Sequence, residues 1–362
     1  MKIVIAGAGV AGLAIGWSLA KAGASVEIVE RGLAGHGATW ASAGMLAPGA
    51  ELGVNDTPLA RFAHEARAAW NGFAAALQEA SGVDIGFRED GSLIVAPDEA
   101  RGHDLKRIAG NSAIWCEPGD ARAREPLLSP ALHGALYVPG DAQVDNRALG
   151  AALAETLRRK GVALREHCEV RSVLTEAGRV RGLLTSEGII AGDAVVLATG
   201  AWMNLIPGLA DILPPIQPVK GQMAAMTPAT GTALPKSLLW DEHLYLVPRQ
   251  GRLLIGATVE DAGYDLSVAR ETASDLLSRA ARIVPALSSW QLSEMWAGLR
   301  PRTPDDAPVL GETNLPGLYV AGGQFRNGIL FAPVIADSMR RLLLGEKPGP
   351  DIVSFDPRRF TR

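Results

Sequence analysis

One short segment constrains the fold more than any other part of the chain: Ile3-Val4-Ile5-Ala6-Gly7-Ala8-Gly9-Val10-Ala11-Gly12. The apolar, β-branched run predicts a strand, and the GxGxxG spacing predicts a sharp turn opening a helix. Leu13, Gly16 and Leu19 carry the helix on, and Val26, Ile28 and Glu30 read as a second strand ending in an acid. Gly7 permits the turn out of the strand, Gly9 lets the backbone approach a pyrophosphate, and Gly12 lets the helix pack closely on the sheet. The helix N-terminus then offers free N–H groups and the positive end of its dipole to phosphates. Glu30 lies 18 residues past Gly12, where a carboxylate accepts hydrogen bonds from ribose hydroxyls. A lone GxGxxG is weak evidence. A strand before it, a helix after it and an acid at this distance together predict a βαβ unit that holds a dinucleotide.

The rest of the chain excludes several classes. At 362 residues it has material for about two domains. Its net charge of −4 presents no basic surface for nucleic acid or anionic lipid. No stretch approaches the ~18 consecutive apolar residues of a membrane span. The first strand begins almost at the N-terminus with no leader pattern before it, so a cytoplasmic location is expected. The two cysteines, Cys116 and Cys168, form no CxxC and read as reduced thiols. His36, His64, His103, His133, His167 and His243 show no metal-ligand spacing, so no metal is expected. There is no GxSxG elbow and no GK[ST] phosphate loop.

Periodicity predicts a helix over 58–80 with Phe62, Ala66, Ala69, Phe73 and Leu77 on one side, and a helix over 146–160 capped by Asp145. Further helices are expected over 268–283 and 328–344. Strands are expected over 91–96, 134–138, near 162–166, 168–174, 179–184 and 194–198, then over 216–227, 243–249, 252–257 and 318–321. The simplest assembly is discontinuous. Residues 1–84, 144–215 and 298–362 form the nucleotide-binding domain, and 85–143 with 216–297 form a substrate domain.

Several later motifs agree with one another. Gly37-Ala38-Thr39 leads into Ser42-Ala43-Gly44-Met45-Leu46-Ala47-Pro48, and Ala198-Thr199-Gly200-Ala201-Trp202 closes a strand. Pro218-Val219-Lys220-Gly221-Gln222, Tyr245-Leu246-Val247-Pro248-Arg249 and Leu254-Ile255-Gly256-Ala257-Thr258 follow. Then come Trp296-Ala297-Gly298-Leu299-Arg300-Pro301 and Ala321-Gly322-Gly323-Gln324-Phe325-Arg326-Asn327-Gly328. In this order and over nearly the full length, the chain resembles the D-amino-acid oxidase family of FAD-dependent amine oxidases, most of all its glycine oxidase branch, associated with thiamine biosynthesis. The resemblance implies an α/β fold: a Rossmann-like FAD-binding domain and a second α+β substrate domain on a mainly antiparallel sheet. It implies non-covalent FAD rather than NAD. It puts Val10, Ala11, Glu30 and Arg31 on the adenosine diphosphate half, Val170 by the adenine, and Thr39, Ala43, Gly44 and Met45 along the path to the isoalloxazine. Gln324, Phe325, Arg326, Asn327, Gly328, Ile329 and Leu330 would wrap the flavin.

The activity implied is oxidation of glycine, sarcosine or small D-amino acids, with dioxygen as acceptor and hydrogen peroxide as product. A dehydrogenase passing electrons to a quinone or carrier is the alternative, as is an oxidase of bulkier secondary amines. An amino acid needs its carboxylate fixed and its Cα–H aimed at the flavin, and a guanidinium fixes a carboxylate bidentately. Arg300 is expected to do this, with Tyr245 donating its hydroxyl and Arg326 alongside. No acid or base is obvious in the sequence, and direct hydride transfer from a neutral amine requires none. Trp40, Gln324 and Val259 depart from the family pattern, and Val259 bears on the size of the pocket. The sequence does not fix the oligomeric state; a homo-oligomer is compatible with it.

Overall fold

A computed structural model describes residues 1–53, 56–347, 349 and 352–360. The opening unit folds as its pattern predicts: strand Lys2–Ala6, helix Val10–Lys21 and strand Ser25–Val29. The two strands pair in parallel, Ile3 opposite Val26 and Ile5 opposite Ile28. They sit inside a six-stranded sheet in the order Val309–Glu312, Leu318–Gly322, Ala194–Leu197, Lys2–Ala6, Ser25–Val29, Ala163–Arg165. Neighbours are parallel except at the Val309–Glu312 edge, which pairs antiparallel.

Alternation along the central strand explains both layers of core. Ile3 and Ile5 point into a cluster with Leu13, Phe62, Trp70, Leu153 and Phe331, all from helices. Val4 and Ala6 point the other way, against Val180, Leu183 and Ile190 of a three-stranded antiparallel sheet. A strand segment covered on both faces must be apolar at every position, and Ile3 to Ala6 is.

Helix Pro58–Ser81 is capped by Thr57, whose hydroxyl accepts from the Ala60 N–H at 3.1 Å, and ends at Gly82 in the left-handed region. Its buried stripe runs through Phe62, Ala66, Trp70, Ala74 and Leu77. The expected stripe is therefore corrected at Ala69, which is exposed, and at Phe73, which is only half-buried. At 3.6 residues per turn the core-facing line passes through 70 and 74. Helix Asn146–Arg159 begins as expected, with Asp145 accepting from the N–H groups of Arg147 and Ala148.

The second large sheet has eight strands, in the order Gln291–Arg302, Gln217–Thr227, Arg252–Gly256, Tyr245–Arg249, Leu238–Trp240, Ser92–Val95, Ala135–Val138, Ile114–Cys116. All its pairs are antiparallel except Leu238–Trp240 with Ser92–Val95. Gln291–Arg302 was not legible as a strand because it contains Pro301 and lacks alternating burial. Pro301 is tolerated because the strand lies at the sheet edge. Among the described residues no helix is long and apolar enough to cross a membrane.

Candidate active site

A cleft of about 870 Å³ lies where the carboxyl ends of the parallel strands meet one face of the antiparallel sheet. Open α/β sheets bind ligands at these strand ends.

The end formed by the fingerprint fits the adenosine diphosphate half of a dinucleotide. A Cβ at Gly7 would lie 2.4 Å from the Ala198 carbonyl oxygen, and one at Gly12 would lie 2.0 Å from the Gly7 carbonyl oxygen. Only glycine lets strand, turn and helix approach this closely. No side chain hydrogen-bonds at the helix N-cap, Gly9. Gly7, Gly9, Val10, Ala11, Glu30, Arg31 and Val170 all line the cleft. The Glu30 carboxylate accepts from the Ala8 N–H at 2.8 Å and the Gly32 N–H at 2.9 Å, one on each oxygen. Each oxygen keeps a further acceptor position for a ribose hydroxyl. Arg31 stacks on Trp202, its guanidinium carbon 3.8 Å from the ring centre. Deeper in, Gln324 Nε2 and Thr199 Oγ1 are buried without a hydrogen-bond partner among the described residues, and both residues line the cleft. Orphaned polar atoms of this kind fit the heteroatoms of a flavin.

Thr39, Ala43, Gly44 and Met45 line the middle of the cleft, with Gln324, Phe325, Arg326, Gly328 and Ile329 facing it. Thr39 also has a structural task, since its hydroxyl accepts the Val10 N–H at 2.9 Å. Three residues expected at the cofactor do not line the cleft. Gly12 is buried beneath the turn, Asn327 caps the last helix and accepts on its carbonyl from Phe331, and the Leu330 carbonyl accepts from Trp70 Nε1 at 2.9 Å. The turn before that helix is fixed by Phe325 N–H donating to the Pro301 carbonyl at 2.9 Å.

The far end carries the expected trio, Arg300, Tyr245 and Arg326. Two glycines make room for it. Arg300 lies across Gly221, where a Cβ would come 2.5 Å from both terminal guanidinium nitrogens. A Cβ at Gly256 would lie 2.1 Å from Met223 Sδ and 2.8 Å from the Tyr245 ring. Arg300 Nη1 donates to the Thr258 carbonyl at 3.1 Å, which orients the fork. That carbonyl sits in a braced loop. Gln222 N–H donates to Thr258 Oγ1 at 2.8 Å, and Gln222 Nε2 donates to Glu260 at 2.9 Å. Buried Lys220 pairs with Asp265 at 2.6 Å. Neither Arg300 nor Arg326 has a carboxylate partner within ion-pair distance among the described residues, whereas nearby Arg302 pairs with Asp306 at 2.5 Å. Tyr245 donates to Met223 Sδ at 3.3 Å, and burial pushes its hydroxyl above the ordinary range, so it remains a donor.

Four residues of the site escaped sequence reasoning. Glu51, on the short helix Pro48–Leu52, lines the cleft. Burial pushes its carboxyl up to about 7 against the pull of Arg326 and Arg300. Asp141 holds that helix, accepting from Gly49 N–H at 3.0 Å and Ala50 N–H at 3.1 Å; burial pushes its carboxyl up to about 6. Arg249 is buried and donates to the carbonyls of Ala43, Val144 and Pro248 and to Gln143 Oε1. Asn146 Nδ2 donates to the carbonyls of Thr39 and Trp40 at 2.9 and 2.8 Å. Only the Asp145–Asn146 helix start carried a local signal; the others act across more than a hundred positions or on a helix too short to read.

The departures from pattern also find places. Trp40 packs edge-on to Trp296 at 6.1 Å and under Arg147 at 3.6 Å. Val259 is exposed at the cleft wall, and His243 stands exposed at the mouth. Cys116 and Cys168 are buried and free.

The family model described as FAD dependent oxidoreductase (DAO) matches residues 2–342. The chain is 38% identical to the glycine oxidase of Geobacillus kaustophilus, over 94% of this chain and 93% of the relative. It is 36% identical to the bifunctional protein ThiO/ThiG of a Nostoc species, over 98% of this chain but only 54% of the relative, so it spans about half of that protein. The crystal structure of the Geobacillus kaustophilus glycine oxidase superposes with a TM-score of 0.93 at 36% identity, covering 99% of this chain and 98% of the other. An iminodiacetate oxidase from Chelativorans superposes at 0.89 with 26% identity, covering 98% of each chain. The chain therefore belongs to the DAO family of FAD-dependent oxidoreductases.

Proposed function

We propose that this protein is an FAD-dependent oxidase of small amino acids, with glycine the leading substrate. The observation that carries this reading is the pair of guanidiniums, Arg300 and Arg326, without carboxylate partners among the described residues, at one end of a dinucleotide cleft. Arg300 is half-buried, and a guanidinium partly withdrawn from water without a counter-ion gains from a substrate carboxylate; Arg326 stands exposed beside it. Arg300 binds the carboxylate through its fork, held in aim by the Thr258 carbonyl. Tyr245 donates a further hydrogen bond to the same group, and Arg326 adds charge from the flavin-side turn. Trp240, Met223 and Met45 give the walls apolar surface that displaces water from the substrate's Cα. FAD, when bound, supplies the acceptor for the hydride from Cα and returns the electrons to dioxygen as hydrogen peroxide. The residues contribute proximity and orientation. The imine released hydrolyses to an oxo acid and ammonia, or to a primary amine when the nitrogen was substituted. We assign the six-stranded sheet to the cofactor domain and the eight-stranded sheet to the substrate domain.

The test is an anaerobic screen of flavin bleaching with glycine, sarcosine, D-alanine, D-proline and bulkier amines, followed by product analysis in air. Bleaching by small amino acids with peroxide equal to oxo acid supports the proposal. Bleaching without peroxide assigns a dehydrogenase, and a flavin that no amine reduces overturns the reading.

A further inference from the structure

An amino acid reaches this pocket as a zwitterion, and its nitrogen must lose a proton before the lone pair can form the C=N bond that expels a hydride. We propose that Glu51 receives that proton, and that it is a catalytic residue of this site. The inference rests on the amino-acid oxidase reading above and deepens it. In the proposed step the N–H bond of the substrate ammonium breaks and an O–H bond forms on a Glu51 carboxylate oxygen. The nitrogen keeps the electron pair, and nothing is oxidised or reduced in the step.

Glu51 shares the substrate end of the cleft with Arg300, Arg326 and Tyr245. Guanidinium groups do not release a proton in proteins, and Tyr245 is held as a donor. Asp241, Glu242 and His243 also line the cleft; Glu242 and His243 stand well exposed, and Asp241 is engaged by the His243 N–H at 2.7 Å. The Glu51 carboxylate has no hydrogen bond or ion pair among the described residues, so its lone pairs are available to a ligand.

The backbone that presents Glu51 is fixed from below. Asp141 grips the N–H groups of Gly49 and Ala50, the two residues before it. Gly49 also has no room for a side chain, since a Cβ there would come 2.5 Å from Val138 Cγ1. The groups facing Glu51 are the cations Arg300 and Arg326 and the neutral Tyr245 across the cleft, and Asp141 from the turn before Ala142. Helix Pro58–Ser81, packed against it, contributes His64, near the Gly53 carbonyl, and Arg67, engaged by Gly140 and Glu89. Strand Ser92–Val95 contributes no charge. The side chains that meet the substrate, Arg300, Arg326 and Glu51, thus carry two positive charges and one negative, and because the proton moves within the site their total with a bound zwitterion is the same before and after the transfer; Asp141 lies behind them, engaged by the Gly49 and Ala50 N–H groups. A carboxyl that titrates near 7 accepts a proton at neutral pH and returns it to water after turnover, the condition for an efficient general base.

The holoenzyme tests this with Glu51→Gln, an isosteric change, and Glu51→Asp. Anaerobic stopped-flow reduction by glycine should slow by about 100-fold at pH 7 in Glu51→Gln. The deficit should shrink tenfold per pH unit as the solution fraction of glycinate, the free-amine form, grows, and Glu51→Asp should recover part of the rate. A second readout needs neither turnover nor a variant. Isobutyrate carries a carboxylate but no ammonium, so its binding to the wild-type enzyme at pH 8 should take up a proton, measured by calorimetry in two buffers of different ionisation enthalpy. A rate deficit below threefold, a deficit independent of pH, or isobutyrate binding without proton uptake overturns the proposal. A wild-type flavin bleached by no amino acid overturns the oxidase reading itself, an outcome distinct from loss confined to the variant.

Discussion

Arg249→Met removes a buried cation that ties the flavin-facing loop to the antiparallel sheet. Arg249 is 6% exposed and ends strand Tyr245–Arg249. Its guanidinium donates to the Val144 carbonyl at 2.6 Å, the Pro248 carbonyl at 3.1 Å, the Ala43 carbonyl and Gln143 Oε1. Burial pulls its pKa down to about 10, so the charge persists at neutral pH. Methionine returns the desolvation cost behind that lowering, on the order of 3 kcal/mol. Against this, three acceptors beyond the neighbouring Pro248 lose their donor in a buried place, at about 2 kcal/mol each. The net expected loss is about 3 kcal/mol, a fall of several degrees in Tm. Ala43 and Gly44 line the cleft, so freeing this loop should also weaken FAD at least tenfold. Thermal denaturation and fluorescence titration of the apoprotein with FAD measure the two effects. Glu51 and Arg300 are untouched, so protein saturated with FAD should keep most of its activity. A variant within about 1 kcal/mol of wild type that holds FAD normally would refute the reasoning, because the carbonyls would then have found other partners without cost.

Arg300→Ala should raise KM for the amino acid by about 100-fold or more while FAD stays bound, since it removes one partner of a charged, hydrogen-bonded pair; steady-state kinetics with the yellow protein check this. Gly221→Ala should lower kcat/KM by about tenfold or more without loss of fold, because the new methyl occupies the space of the Arg300 fork. Glu51→Gln should change stability in a pH-dependent way. The folded carboxyl titrates near 7 against 4.5 unperturbed, so its relative contribution is fully present below about 4.5 and is lost as pH rises through 7. Between pH 5 and pH 8 the wild type should therefore lose about 2 kcal/mol relative to the variant, measured by urea denaturation of the holoenzyme at both values.

Local signals carried much of this protein. Gly7, Gly9 and Gly12 and the acid at Glu30 were legible because each answers a short-range steric or spacing demand. The Asp145 cap and most strand positions were legible for the same reason. Helix Pro48–Leu52 was not, since five residues have no period to detect and its stability comes from Asp141, ninety residues on. Strand Gln291–Arg302 was hidden by Pro301 and by side chains divided unevenly between cleft and solvent.

By itself the sequence determined a βαβ dinucleotide unit, its glycine cradle and the residue types a carboxylate substrate needs, because these follow from spacing along the chain. Only the tertiary structure decided that Arg300 and Arg326 stand without ion-pair partners among the described residues, that Glu51 faces them and that Arg249 anchors the loop between. Burial and charge balance arise from segments remote in sequence packing into a shared low-dielectric space, and no local pattern records which charges meet there.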